Sequence, residues 1–243
     1  MGRRVIQNWL NLHRMPSPRR RFLSWIGSAS LVGITARPSV LRAEAMRTDR
    51  TDDRHAPPVT DAWDMGWTAR VTGKYKAVFD SPGFAYGAAL FRANAWCEQY
   101  KEVFGAERCE MSPVVVLRHS GFDLAMNGEY WRLAEVGRKQ KLRDQRGKKW
   151  LMTNPLAAAA DGAPPDTVKN TIPAFVAAGG IVLGCGWSFG GAVAIIRQVE
   201  QLDKETAEAR VKSMLLPGVI LQPSGIFAAL RAQEAGCSYI LAS

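Results

Sequence analysis

Gly180-Ile181-Val182-Leu183-Gly184-Cys185-Gly186-Trp187-Ser188-Phe189-Gly190 is the stretch whose reading decides the fold. Ile181 to Leu183 is an uninterrupted apolar run, too short for a helix and bounded by glycines, which predicts a strand buried on both faces. Helical spacing resumes after the Gly-Cys-Gly turn, predicting a helix over Ser188–Val199. A strand feeding directly into a helix is half of a parallel crossover unit. The same pattern recurs outward in both directions. Further strands are predicted at Tyr75–Phe79, Pro113–Leu117, Val219–Leu221 and Ser238–Leu241. Helices are predicted between them. Phe84–Phe104 carries Ala88, Phe91, Ala95 and Val103 near one face, and Gly105 stops it. Leu124–Val136 is capped by Asp123. Thr167–Ala178 turns Ile172, Phe175 and Val176 inward. Lys204–Leu215 and Ile226–Glu234 complete the set. Alternation of this kind implies an α/β single domain: a central, mostly parallel sheet of about five strands, with helices on both faces and right-handed crossovers.

The amino-terminal segment is of a different kind. Arg19-Arg20-Arg21-Phe22-Leu23 is followed by an uncharged stretch to Ala36 and then by Ala43-Glu44-Ala45. Paired arginines, a weakly apolar segment and a small-x-small site, in that order, form a twin-arginine export signal. The apolar segment holds Ser24, Gly27, Ser28, Ser30 and Gly33 and is ended by Arg37-Pro38, so it is too short and too polar for a membrane span. The expected organisation is therefore a signal over 1–45, a flexible lead-in over 46–66 and a folded domain over 67–243. Export to the periplasm through the Tat translocase follows, with an uncleaved anchor as the alternative. The signal carries eight arginines and one acid, a net +7 of the chain's +10. The mature part is left near +3, so the basic character belongs to the signal and gives no argument for nucleic-acid binding. Arg138 to Lys149, with seven positive charges and one acid, reads as a solvated loop.

Four cysteines, Cys97, Cys109, Cys185 and Cys237, lie in the mature part. An oxidising compartment favours pairing, and Cys97 with Cys109 or Cys185 with Cys237 are the pairs considered. The spacing matches no metal or haem motif, so no metal and no cofactor is expected.

In parallel sheets, ligands gather beyond the carboxyl ends of the strands. Three ends stand out: Asp80-Ser81-Pro82, Arg118-His119-Ser120-Gly121 and Gly184-Cys185-Gly186-Trp187-Ser188. If the strands are neighbours, Cys185 and His119 share one edge. A cysteine just before a helix faces unpaired amides and the positive end of the helix dipole, which favour a thiolate able to accept sulfur. Cysteine is also a common small core residue, the plainer alternative. Gly186-Trp187-Ser188-Phe189-Gly190 spells Gly-x-Ser-x-Gly, the nucleophile elbow of α/β-hydrolases. No histidine follows His119, and the chain after Ser188 is too short for that fold's acid and histidine loops.

Four segments together resemble the DsrE/DsrF-like (YchN-like) sulfur-relay superfamily, in an exported branch with a twin-arginine signal. They are Gly73 to Asp80, Val115 to His119, Gly180 to Cys185, and Leu216 through Pro223-Ser224-Gly225 to Tyr239. The last is the most specific, with its valine-containing strand, Ser-Gly turn and helix ending in Gln233-Glu234-Ala235-Gly236. The resemblance spans roughly Trp67 to Ala242. It implies a compact domain assembled as a homo-oligomer, a trimer or hexamer, with a persulfide carried at the position matching Cys185. His119 is expected to support it, and Gly184, Gly186, Trp187 and Ser188 to bind ligand. The implied activity is that of a sulfur transferase or carrier with an unidentified periplasmic donor and acceptor. A non-catalytic module binding a small ligand or partner in the same pocket is the alternative, favoured if Cys185 is fully buried or in a disulfide.

Overall fold

All five strands run parallel, in the order β4-β3-β2-β1-β5. The strands are β1 (Tyr75–Ser81), β2 (Met111–Leu117), β3 (Ile181–Cys185), β4 (Val219–Gln222) and β5 (Ser238–Leu241). The computed structural model describes residues 63–144, 147–159 and 161–243. The predicted signal over 1–45 and most of the lead-in lie outside the described residues. No helix among the described residues is long and apolar enough to cross a membrane.

The helices are α1 (Ala88–Phe104), α2 (Gly128–Leu133), α3 (Val136–Lys139), α4 (Pro165–Lys169), α5 (Ile172–Ala177), α6 (Gly186–Glu200), α7 (Lys204–Ser213) and α8 (Gly225–Glu234). From β1 to β4 the chain steps across the sheet in one direction. With a fixed right-handed crossover, such steps place their helices on one face. That face packs Ala77, Phe79, Val115, Leu117 and Val182 together with Ala89 and Leu90 of α1, Phe175 of α5, Ile196 of α6 and Val211 of α7. From β4 to β5 the chain reverses across three strands, so the same handedness puts α8 on the opposite face. There Val78, Val114, Val116, Ile181 and Leu183 meet Ala228 and Ala232 of α8, with Trp67 and Val71 beside them. β2 lies in the middle and is buried along its whole length.

Several sequence expectations need correction. The inward stripe of α1 is Ala89, Leu90, Ala93 and Cys97, whereas Phe91 and Val103 are exposed. Small residues face the sheet because α1 packs closely on it. The predicted helix start at Phe84 is a separate 3-10 turn, Ala85–Gly87, because Tyr86 and Gly87 take positive φ and break the helix. The predicted Leu124–Val136 helix is likewise divided. A 3-10 segment, His119–Ala125, comes first, and Asn127, not Asp123, caps α2 by accepting the Tyr130 amide at 3.0 Å. Thr171 accepts the Ala174 amide and starts α5, splitting the predicted Thr167–Ala178 helix in two. Arg138 and Lys139 of the basic stretch close α3, and beyond them Asp144 accepts the Lys148 amide and Arg143 stacks over the Trp150 ring.

Candidate functional site

The strand topology makes a cleft in one place. The chain leaves β3 into α6 on one face of the sheet and leaves β4 into α8 on the other. Adjacent strands with oppositely directed connections open a crevice at their carboxyl ends. A cleft of about 210 Å³ lies there, lined by Arg118, His119, Cys185, Trp187, Ser188, Gly225 and Ile226. It is smaller than the roughly 300–1,000 Å³ of sites for drug-sized ligands, which restricts it to small molecules or the end of a larger one.

Cys185 is the last residue of β3 and the N-cap of α6. Alternation along the strand turns Gly184 toward the α1 face and Cys185 toward the α8 face. Leu117 is registered with Gly184, so the next level of the sheet sets Arg118 beside Cys185 on the same face. Gln222 of β4 is registered with Cys185 on the other side. The thiol therefore stands in a row between Arg118 and Gln222. It is free, as are Cys97, Cys109 and Cys237, and it is only 4% exposed. The two disulfides considered from sequence are not formed. Cys185 ends β3 while Cys237 precedes β5, so in this parallel sheet one lies at the carboxyl ends of the strands and the other at the amino ends.

Among the described residues no side chain caps α6, nor α1, α3 or α4, whereas Asn127, Thr171, Asp203 and Ser224 cap α2, α5, α7 and α8. The first turn of α6 thus presents its amides and its share of the helix dipole at the cleft without a protein acceptor from a capping side chain. Gln222 is fully buried. Its Nε2 donates to the Asp64 and Leu221 carbonyls at 2.9 Å, and its Oε1 has no donor among the described residues.

Arg118 is held by the neighbouring strands. Its Nε and Nη2 donate to the two carboxylate oxygens of Asp80, both at 2.8 Å, and Tyr239 donates its hydroxyl to Asp80 at 2.6 Å. The Asp80 side chain is 2% exposed and that of Arg118 21%. The hydrogen bond to Asp80 raises the pKa of the Arg118 guanidinium and of the Tyr239 phenol, so both keep their protons. The Arg118 stem lies against Gly225, where an added Cβ would stand 2.5 Å from its Cδ. Glycine at the start of α8 is what lets the arginine pass.

Of the residues expected from sequence, Cys185, His119, Trp187 and Ser188 are brought together at the cleft. Gly184 and Gly186 are not among its lining; they make room. A Cβ at Gly184 would press on Phe122, Leu221 and Val219, and one at Gly186 on the Gln222 and Pro223 carbonyls. His119 is exposed and takes φ 48°. Its backbone amide, not its imidazole, donates to Ser188 Oγ at 2.8 Å. Ser188 sits in the first turn of α6 and is not among the residues with positive φ, so the Gly-x-Ser-x-Gly pentapeptide does not make a strained elbow here. Sequence reasoning noted Asp80 and Arg118 as strand ends without joining them, and it missed Tyr239, Gly225 and Ile226. A lone charge ending each of two apolar strands was the available signal. Compared with protein-family models, curated proteins and solved structures, the chain matches none.

Proposed function

We propose that the protein is an exported, DsrE-like sulfur-handling protein in which Cys185 accepts sulfane sulfur and holds it as a persulfide. The observation that carries this reading is a free thiol on the wall of a cleft, at the uncapped start of a fifteen-residue helix. The Cys185 thiolate attacks a sulfur atom of a polysulfide, and the S–S bond breaks. The shortened polysulfide departs with the electron pair, leaving Cys185–S–S⁻. Amides at Gly186 to Ser188 and the helix dipole stabilise the negative outer sulfur. His119 supports the site by tying the β2 end to Ser188 through its backbone.

Intact mass before and after polysulfide tests this. A gain of one sulfur, removed by dithiothreitol and absent in Cys185→Ser, is expected; equal loading of Cys185→Ser would sink the proposal. The low exposure of Cys185 favours a second reading, a non-catalytic pocket for a small ligand or partner, to which an absence of any sulfur uptake would point.

The proposal includes export by the Tat translocase, removal of residues 1–45 and assembly into a trimer or hexamer. Exposed apolar residues on the α8 face, Ile226, Leu230, Tyr239 and Leu241, support assembly. A periplasmic mass starting at Met46 and a multimeric mass by light scattering are the expected results. A protein retaining its first 45 residues, or one that is monomeric, would remove the corresponding element.

A further inference from the structure

We infer that the ligand of the cleft carries a small oxyanion, recognised by Arg118. Where the sulfur-carrier reading holds, on which this inference builds, the sulfur donor or acceptor is itself an anion.

Burying a carboxylate costs free energy. Asp80 is a carboxylate buried at 1% exposure, and ionised groups are kept in such places only when paired and hydrogen-bonded. Asp80 accepts from Arg118 twice and from Tyr239 once, so its hydrogen-bonding needs are largely met. Arg118 is in the opposite position. A guanidinium has five N–H groups, and Arg118 commits two of them to Asp80. Beyond Asp80 the one polar side chain close enough to act on the guanidinium is Tyr239, which makes no full hydrogen bond to it among the described residues, and the Arg118 side chain borders the cleft.

The pair is also stiff. Nε and Nη2 of the guanidinium fork each bond a different oxygen of Asp80, the stem rests on Gly225, and Asp80 is fixed in turn by Tyr239 from β5. Three strands thus hold one arginine with its uncommitted donors at a cavity, which lowers the entropy cost of binding. Planar, prefixed donors of this type match carboxylate and tetrahedral oxyanions. Asp80 offsets the charge of Arg118, and the free amides at the start of α6 add positive potential at the same cleft. Asp80 itself faces Arg118 and Tyr239 and is absent from the cleft lining. The cleft lining contains no carboxylate that would repel an anion. Trp187 and Ile226, 70% and 55% exposed, border the cleft with apolar surface, leaving Arg118 as the charged anchor for a ligand entering between them.

The test uses the mature chain with Cys185→Ser, so that binding is read without thiol chemistry. Sodium sulfate, sodium acetate and sodium chloride at matched ionic strength are titrated by calorimetry. Saturable binding of sulfate or acetate over chloride is expected, and which of the two binds more tightly separates a tetrahedral oxyanion from a carboxylate. Arg118→Gln should weaken that binding by about tenfold or more, the worth of one charge-assisted hydrogen bond. Because Arg118→Gln strands Asp80, the double variant Asp80→Asn/Arg118→Gln, which keeps a neutral hydrogen-bonded pair, is measured beside it. No binding above chloride, or equal binding in the double variant, would overturn the inference. Anion binding without polysulfide uptake by the unmodified thiol would retire the carrier reading alone. Uptake without anion binding would retire only the oxyanion.

Discussion

At Asp80 the balance between burial and pairing sets what one side chain is worth. Removing it in Asp80→Ala leaves the Arg118 charge partly buried with no partner, and a loss of about 3 kcal/mol is expected in urea unfolding. Tyr239→Phe removes a single hydrogen bond and should cost about 1 kcal/mol or less. If the two losses were equal, the ion pair would not be what holds the three strand ends. Burial also orders the thiols. It pushes the Cys237 thiol up to about 11 and raises that of Cys97, so neither supplies much thiolate at neutral pH. Iodoacetamide followed by mass spectrometry should therefore modify exposed Cys109 first, with Cys97 and Cys237 slow until urea is added. Rapid labelling of Cys237 in the native protein would contradict its burial.

α6 and α8 meet at the cleft, and their first turns differ. Ser224 caps α8 by accepting the Phe227 amide at 3.1 Å, so Ser224→Ala should lower stability by about 1 kcal/mol in thermal unfolding. Within α6, two glycines of the same pentapeptide should respond in opposite directions. At Gly186 a methyl group would stand 2.7 Å from the Gln222 carbonyl oxygen, which belongs to a strand end and cannot easily move. Gly186→Ala should cost about 1–3 kcal/mol. Gly190 has open space around its added Cβ, so Gly190→Ala should gain about 0.5–1 kcal/mol from helix propensity. The same sign at both positions would mean that α6 does not begin against the end of β4. The element types were legible because each strand is a short apolar run and each helix has a spacing of its own. β5 was placed at Ser238–Leu241, as found. Breaks inside helices were not legible, since Asn127 and Thr171 cap only where the chain has already turned.

Across the whole molecule, pH dependence follows from a carboxyl group away from the cleft. Asp123 accepts from Gln140 at 3.1 Å, but burial is the larger influence and raises its pKa above the ordinary aspartate range. A folded-state pKa above the unfolded one means that the protonated form is favoured by folding. That contribution is fully present below the unfolded pKa and is lost as pH rises through the folded pKa. Asp123→Asn, which can still accept from Gln140, should therefore be more stable than the parent at neutral pH. The difference should vanish in acid, below about pH 4. A variant advantage that persists unchanged in acid would assign the effect to something other than ionisation. The sequence by itself determined the α/β class, the five strands and the placing of Cys185 before a helix, because hydrophobic period, glycine punctuation and run length act over a few residues. The tertiary structure alone decided the strand order, which face each helix covers and the union of Asp80, Arg118 and Tyr239 beside the cleft. Asp80 and Tyr239 are 159 residues apart in the chain, and only a return across three strands brings β5 next to β1. Local pattern fixes which face of a strand a side chain takes; which strand lies alongside is settled by burying both faces of the sheet together.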